Sequence, residues 1–106
     1  MVIPKKIELT ALGEDYKGSF LTFKSIAFKD YEPLVIRAEK LRENDKDKNT
    51  FTSLNFVSGE LKSRFIEGEI VNGSETTKVS TEDILDLPGD VLVDCFQMLM
   101  GKISPN

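Results

Sequence analysis

Apolar and polar residues alternate from Lys6 to Leu12, with Ile7, Leu9 and Ala11 on one side of an extended chain and Glu8 and Thr10 on the other. A period of two marks a half-buried strand. After Gly13–Gly18 (GEDYKG), which reads as a turn, Ser19–Phe23 resumes the alternation with Leu21 and Phe23. The two runs predict a β-hairpin whose connection is longer than two residues. The period then changes. Tyr31, Leu34, Val35, Ala38 and Leu41 form one apolar stripe, with Glu39, Lys40, Arg42 and Glu43 largely off it, as an amphipathic helix requires. Asp30 is placed to cap this helix, which runs to about Glu43, and Pro33 falls in its first turn, where a missing N–H costs little.

Glu43–Thr50 (ENDKDKNT) has no apolar residue and reads as a surface loop. The stretch from Phe51 to Phe65 supports two readings. Leu54, Val57, Leu61 and Phe65 have helical spacing, whereas Gly59 and the Thr, Ser and Asn content oppose a stable helix, so a strand-rich alternative stays open. Asn72–Gly73, between Ile66–Val71 and Ser74–Val79, predicts a second hairpin with a type I′ turn. Ser80 and Asp83 have the spacing of a capping box that opens a short helical turn through Ile84. Pro88–Gly89 separates that turn from a closing helix, Asp90 to about Met100, stopped by Gly101. Hairpin, helix, loop, hairpin and helix, without regular βαβ alternation, make an α+β fold. We expect one domain over residues 1–106: antiparallel hairpins packed with two or three helices, and a polar loop at about 43–50.

The closing helix has an unusual distribution. Asp90, Asp94, Gln97 and Gly101 form one narrow polar stripe, and almost everything else is apolar. Such a helix is either central in its own fold or covered on one flank by another chain. Met98 and Met100 suit the second case, because methionine adapts to irregular interfaces.

Composition narrows the function classes. The 106 residues carry 14 Lys and Arg against 18 Asp and Glu, a net charge of −4. Nucleic-acid binders need a basic footprint. Here Lys5–Lys6 is the only basic pair, and Lys62 and Arg64 lie close to Glu60, Glu67 and Glu69. No nucleic-acid partner is expected. The absence of histidine removes the commonest general base and metal ligand, and a single Cys95 cannot build an internal disulfide or a multi-cysteine metal site. No N-terminal signal or membrane-length apolar run is present, so a cytoplasmic protein without a membrane partner is expected.

Each candidate for chemistry lacks a required part. Asp45-x-Asp47-x-Asn49 opens like a calcium-binding loop, but its sixth and twelfth positions hold Thr50 and Phe56 instead of Gly and Glu. Asn72-Gly73-Ser74 matches a glycosylation acceptor but reads as a turn. Glu67-x-Glu69 and Glu82–Asp83 are close carboxylates without an aromatic sugar platform, as Trp is absent and Tyr occurs twice. Cys95 lies among Leu92, Phe96 and Leu99 with no histidine to generate a thiolate. No catalytic residue, metal or cofactor is therefore expected.

Ser80–Gly101 (STEDILDLPGDVLVDCFQMLMG), with its acidic start and apolar helix, resembles small tail-assembly chaperones of long-tailed bacteriophages. The N-terminal strand pair and the run SIAFKDYEPL leading into AEKL add to the likeness, which covers about half the chain and leaves out residues 51–79. The resemblance implies a non-catalytic viral protein of the host cytoplasm. It would hold a helix-rich tape-measure protein, recruit tail-tube subunits and leave the finished virion. Ile84, Leu85, Leu87, Phe96, Met98 and Met100 would then be the partner contacts. Two alternatives stand beside it: a permanent tail or neck subunit that forms a symmetric oligomer, and a small enzyme or enzyme inhibitor acting through its carboxylates.

Overall fold

The computed structural model describes residues 2–44 and 51–101. Strands β1 (Pro4–Glu8), β2 (Phe20–Lys24), β3 (Phe65–Asn72) and β4 (Glu75–Lys78) form one antiparallel sheet in the order β1-β2-β3-β4. Helices α1 (Phe28–Asn44) and α2 (Phe51–Arg64) lie between β2 and β3 in sequence, and α3 (Gly89–Leu99) closes the chain. The fold is α+β, as the mixed periodicities predict.

The sheet has one apolar face. Ile7 opposes Leu21, and Leu21 opposes Gly68, so the interior positions of three strands meet in one row. Leu21 and Phe23 are completely buried, and the Phe23 ring meets Phe65 edge to face at 5.9 Å between centroids. A side chain at Gly68 would occupy space that Leu21 fills. An added Cβ would approach Leu21 Cδ2 to 2.5 Å and the Phe20 carbonyl oxygen to 2.9 Å. Between Thr22 and Phe23 the pairing skips Ile66, and this bulge leaves Ile66 outside the core. On the opposite face, the Lys6 ammonium sits 4.5 Å from the centre of the Phe20 ring, and Glu67 lies across from Thr22. Beyond the ladder, Ser19 ties β2 to β3. Its buried hydroxyl accepts from the Val71 N–H at 2.8 Å and lies 3.3 Å from the Val71 carbonyl, to which it donates.

β1 stops at Glu8, although the alternation continues to Ala11. The Leu9 N–H still donates to the Ser19 carbonyl, but the chain then folds into 3-10 turns at Thr10–Leu12 and Glu14–Tyr16. Gly13, with φ of 99°, separates these turns in a conformation that a side chain would strain. In the second hairpin Asn72 pairs with Glu75, so the turn residues are Gly73 and Ser74, one position later than the Asn-Gly signal suggests. Gly73 takes the positive φ of 65°. The outer strands are β1, which begins Pro-Lys-Lys, and β4, four polar residues that are all exposed.

α1 begins at Phe28, two residues before the expected cap, and runs through Glu43 and Asn44, so the expected polar loop starts later than residue 43. The remainder of that loop, with the Asp45-x-Asp47-x-Asn49 motif, lies outside the described residues, as do the side chains of Ala38, Leu41 and Leu54. The ambiguous stretch is helical. Leu61 is completely buried on α2, Phe56 meets Phe96 of α3 at 5.8 Å between ring centroids, and Gly59 faces open space. Tertiary packing thus outweighs the poor intrinsic propensity. Glu60 and Arg64 add an i,i+4 ion pair at 3.3 Å. α2 then passes straight into β3 without a connecting loop.

α2 is the middle helix, in contact with both α1 and α3, and α3 closes the layer. α3 packs against α2 on one side and against β1 and the Thr10–Leu12 turn on the other. Val91, Leu92, Cys95, Phe96 and Leu99 are buried, and Met100 just beyond them is 2% exposed. Its nearly all-round apolarity is accounted for inside this chain.

Candidate partner-binding surface

The six residues expected to meet a partner separate into two groups. Ile84, Phe96 and Met100 are core residues, at 0%, 9% and 2% exposure. In this fold they face their own chain, which corrects the expectation that they form an outward contact. Met98 and Leu87 are half-buried and pack against the core. Leu85 alone points outward, 52% exposed.

Leu85 sits in a short 3-10 turn, Glu82–Asp86, immediately before α3. The expected capping box is formed. The Asp83 N–H donates to Ser80 Oγ at 3.3 Å, and the Ser80 N–H donates to Asp83 Oδ2 at 3.0 Å. The bond from the Ser80 N–H, and after it the Ser80 hydroxyl, stabilise the Asp83 carboxylate and hold its pKa below the ordinary 3.8. Ile84 anchors the turn in the core, so Leu85, the next residue, is held on the outside. Exposed Glu82, Asp83 and Asp86 flank it.

The acidity of the protein is concentrated here. From Val79 to Gly101 the chain carries Glu82, Asp83, Asp86, Asp90 and Asp94 and no Lys or Arg. Five of the eighteen acidic residues lie in this stretch, leaving thirteen against fourteen basic residues elsewhere. Carboxylates at the start of α3 also complement the positive end of the helix dipole.

A second exposed apolar patch lies at the other end of α3. There the Lys5 ammonium donates to the Met98 carbonyl at 2.8 Å, and the Tyr31 hydroxyl donates to the Met100 carbonyl at 2.5 Å. The Ser25 N–H donates to the Ile3 carbonyl, which brings the chain's start beside the beginning of α1. Phe28, three residues before Tyr31, is 96% exposed; Ile3 and Val2 are 59% and 60% exposed. Sequence periodicity missed this patch. Phe28 falls on the stripe of α1 by spacing, and the usable signal was its place ahead of the expected cap, where no element faces it.

The other candidate groups stay apart. Glu67 and Glu69 lie on the outer sheet face opposite Thr22 and Phe20, far along the chain from the turn that holds Glu82 and Asp83. Cys95 is enclosed, and burial, followed by the nearby Asp94 charge, pushes its thiol up to about 12. A groove of about 300 Å³ beneath the β1–β2 connection is lined by Glu8, Glu14, Tyr16 and Lys17. The Gly13, Tyr16, Lys17 and Ser19 N–H groups around it already bond carbonyls of the same loop. Among the described residues no cluster of three metal-ligating side chains occurs, and no helix is long and apolar enough to cross a membrane.

Set against known proteins, the chain matches no family model, no curated protein and no solved structure.

Proposed function

We propose that this chain is a non-catalytic assembly factor that binds other proteins, in the manner of a phage tail-assembly chaperone. The observation that carries the reading is Leu85, an exposed leucine held in a capped turn, beside half-buried Leu87 and among carboxylates. A partner helix with an apolar stripe and basic flanks would cover the leucines while its cations meet Glu82, Asp83 and Asp86. On this reading the client is a long, helix-rich tape-measure protein in the host cytoplasm, held until tail-tube subunits arrive. Neither nucleic acid nor a membrane takes part.

The test begins with the neighbouring genes: a long helical protein should be encoded immediately downstream, its absence overturns the reading, and the two chains are then co-expressed. Wild-type protein should keep that partner in solution, and Leu85→Lys should lose it while melting at the wild-type temperature. A correctly folded Leu85→Lys protein that still holds the partner overturns the reading.

A second reading, a permanent tail or neck subunit in a symmetric oligomer, is favoured by the Phe28 patch. A chaperone acting through Leu85 alone has no use for a second exposed apolar site. Purified alone, such a subunit forms a closed ring or a tube.

A further inference from the structure

Asn72 is the last residue of β3 and pairs with Glu75, the first of β4, across a turn made of Gly73 and Ser74. All four residues are exposed. Among the described residues no hydrogen bond holds the Asn72 side-chain amide or the Gly73 N–H. Gly73 has no side chain, and the place where a Cβ would stand is open space. Nothing therefore shields the Asn72 Cγ from the nitrogen of the next residue. One restraint opposes their meeting, because Asn72 must leave the extended conformation of the ladder. That restraint is weak: all four residues of β4 are exposed and none reaches the core, so the last rung can open while the rest of the sheet stays paired.

We propose that Asn72 is a site of spontaneous deamidation in the folded protein, and that the change loosens the outer hairpin. The Gly73 nitrogen gives its proton to hydroxide and bonds to Asn72 Cγ, while the bond from Cγ to the side-chain nitrogen breaks and ammonia leaves. Water then opens the five-membered imide at one of its two carbonyls, giving aspartate or isoaspartate. Neither oxidant nor reductant is required. The aspartate product places a carboxylate directly across the ladder from Glu75, a destabilising like-charge pair. The isoaspartate product adds a methylene group to the main chain beside a two-residue turn that sets the register. The Val71 N–H and carbonyl are turned to Ser19, so those of Ile70 and Asn72 are turned to β4 and are released first. The opening ends where Lys78 pairs with Glu69 and the Val79 N–H donates to the Gly68 carbonyl at 2.9 Å. This inference is independent of whether Leu85 meets a partner.

The experiment incubates the purified chain at mildly alkaline pH and follows position 72 by peptide mapping and mass spectrometry, with isoaspartate told from aspartate by its fragmentation. Asn72→Gln, whose longer side chain closes such a ring far more slowly, is the control, and circular dichroism shows that both proteins stay folded. The wild type should accumulate aspartate and isoaspartate at position 72 and gain a more acidic band on isoelectric focusing. Asn72→Gln should do neither. Urea well below the unfolding midpoint should leave the rate unchanged, because only the last rung has to open. In the aged protein amide exchange at Ile70 should be faster than in fresh protein, and that at Leu21 unaltered. An Asn72 that persists in the folded chain while it converts in strong urea would overturn the proposal. So would a rate that climbs with the unfolded fraction in mild urea, or unaltered exchange at Ile70 in the aged protein.

Discussion

The Leu21 side chain lies across the Cα of Gly68, at the point where two central strands come face to face. No rotation of a methyl group at position 68 avoids it, because the Phe20 carbonyl closes the other side at 2.9 Å. Gly68→Ala should destabilise the protein by about 1–3 kcal/mol through overpacking, seen as a lower urea midpoint. A smaller residue at position 21, as in Gly68→Ala/Leu21→Val, should recover part of the loss. An unchanged midpoint for the single variant would show that the strands separate at no cost.

Ser19 provides a second test of the same seam. Replacing it by Ala removes the acceptor of the Val71 N–H and a donor to the Val71 carbonyl. A loss of about 1–2 kcal/mol in chemical denaturation follows if neither group finds another partner. Faster amide exchange at Val71 should accompany it.

Leu85 and Met100 distinguish surface from core. Met100→Lys places a charge at a position only 2% exposed and should prevent folding or remove most of the stability. Leu85→Lys, at 52% exposure, should change stability by no more than about 0.5 kcal/mol. Circular dichroism melts of the two proteins side by side are sufficient.

The Ser80–Asp83 box has a defined pH window. The folded-state pKa of Asp83 lies below its ordinary 3.8, so the folded state binds that proton more weakly than the unfolded chain. The contribution is complete above 3.8 and disappears as pH falls through the lowered value. The stability difference between wild type and Asp83→Asn should therefore be constant near neutrality and shrink below pH 3.8. A difference that grows on acidification would reverse the assignment.

Cys95 should be inert in the native state. With its thiol pushed up to about 12 and its side chain enclosed, almost no accessible thiolate exists at pH 8. Labelling by a thiol reagent should be slow in buffer and rapid in denaturing urea. Rapid labelling of folded protein would mean that α3 opens locally.

Legibility from sequence followed the range of the forces involved. The Ser80–Asp83 box and the stop at Gly101 were readable because a few adjacent residues determine them. The second hairpin was readable too, although its turn lies one residue later because Asn72 remains paired. The segment from Phe51 was not readable, because its helix depends on Leu61 and Phe56 meeting residues remote in sequence. The end of β1 at Glu8 was hidden for a similar reason: Ala11 preserves the alternation while the backbone has already turned. The apolar circumference of α3 was plain, but periodicity cannot distinguish burial by one's own chain from burial by another. Hence Phe96 and Met100 were expected at an interface and lie in the core, while Leu85, expected at the same interface, is exposed. Phe28 was overlooked because exposure is a property of what fails to cover a residue.

The two outer strands limit how copies of the protein can join. Another chain adding to β1 would meet Pro4, which offers no N–H, and the charges of Lys5 and Lys6 on the two faces of the strand. One adding to β4 would find only four residues to pair with, all hydrophilic. Sheet extension from chain to chain, the route by which β proteins seed irreversible fibrils, is therefore guarded at both margins.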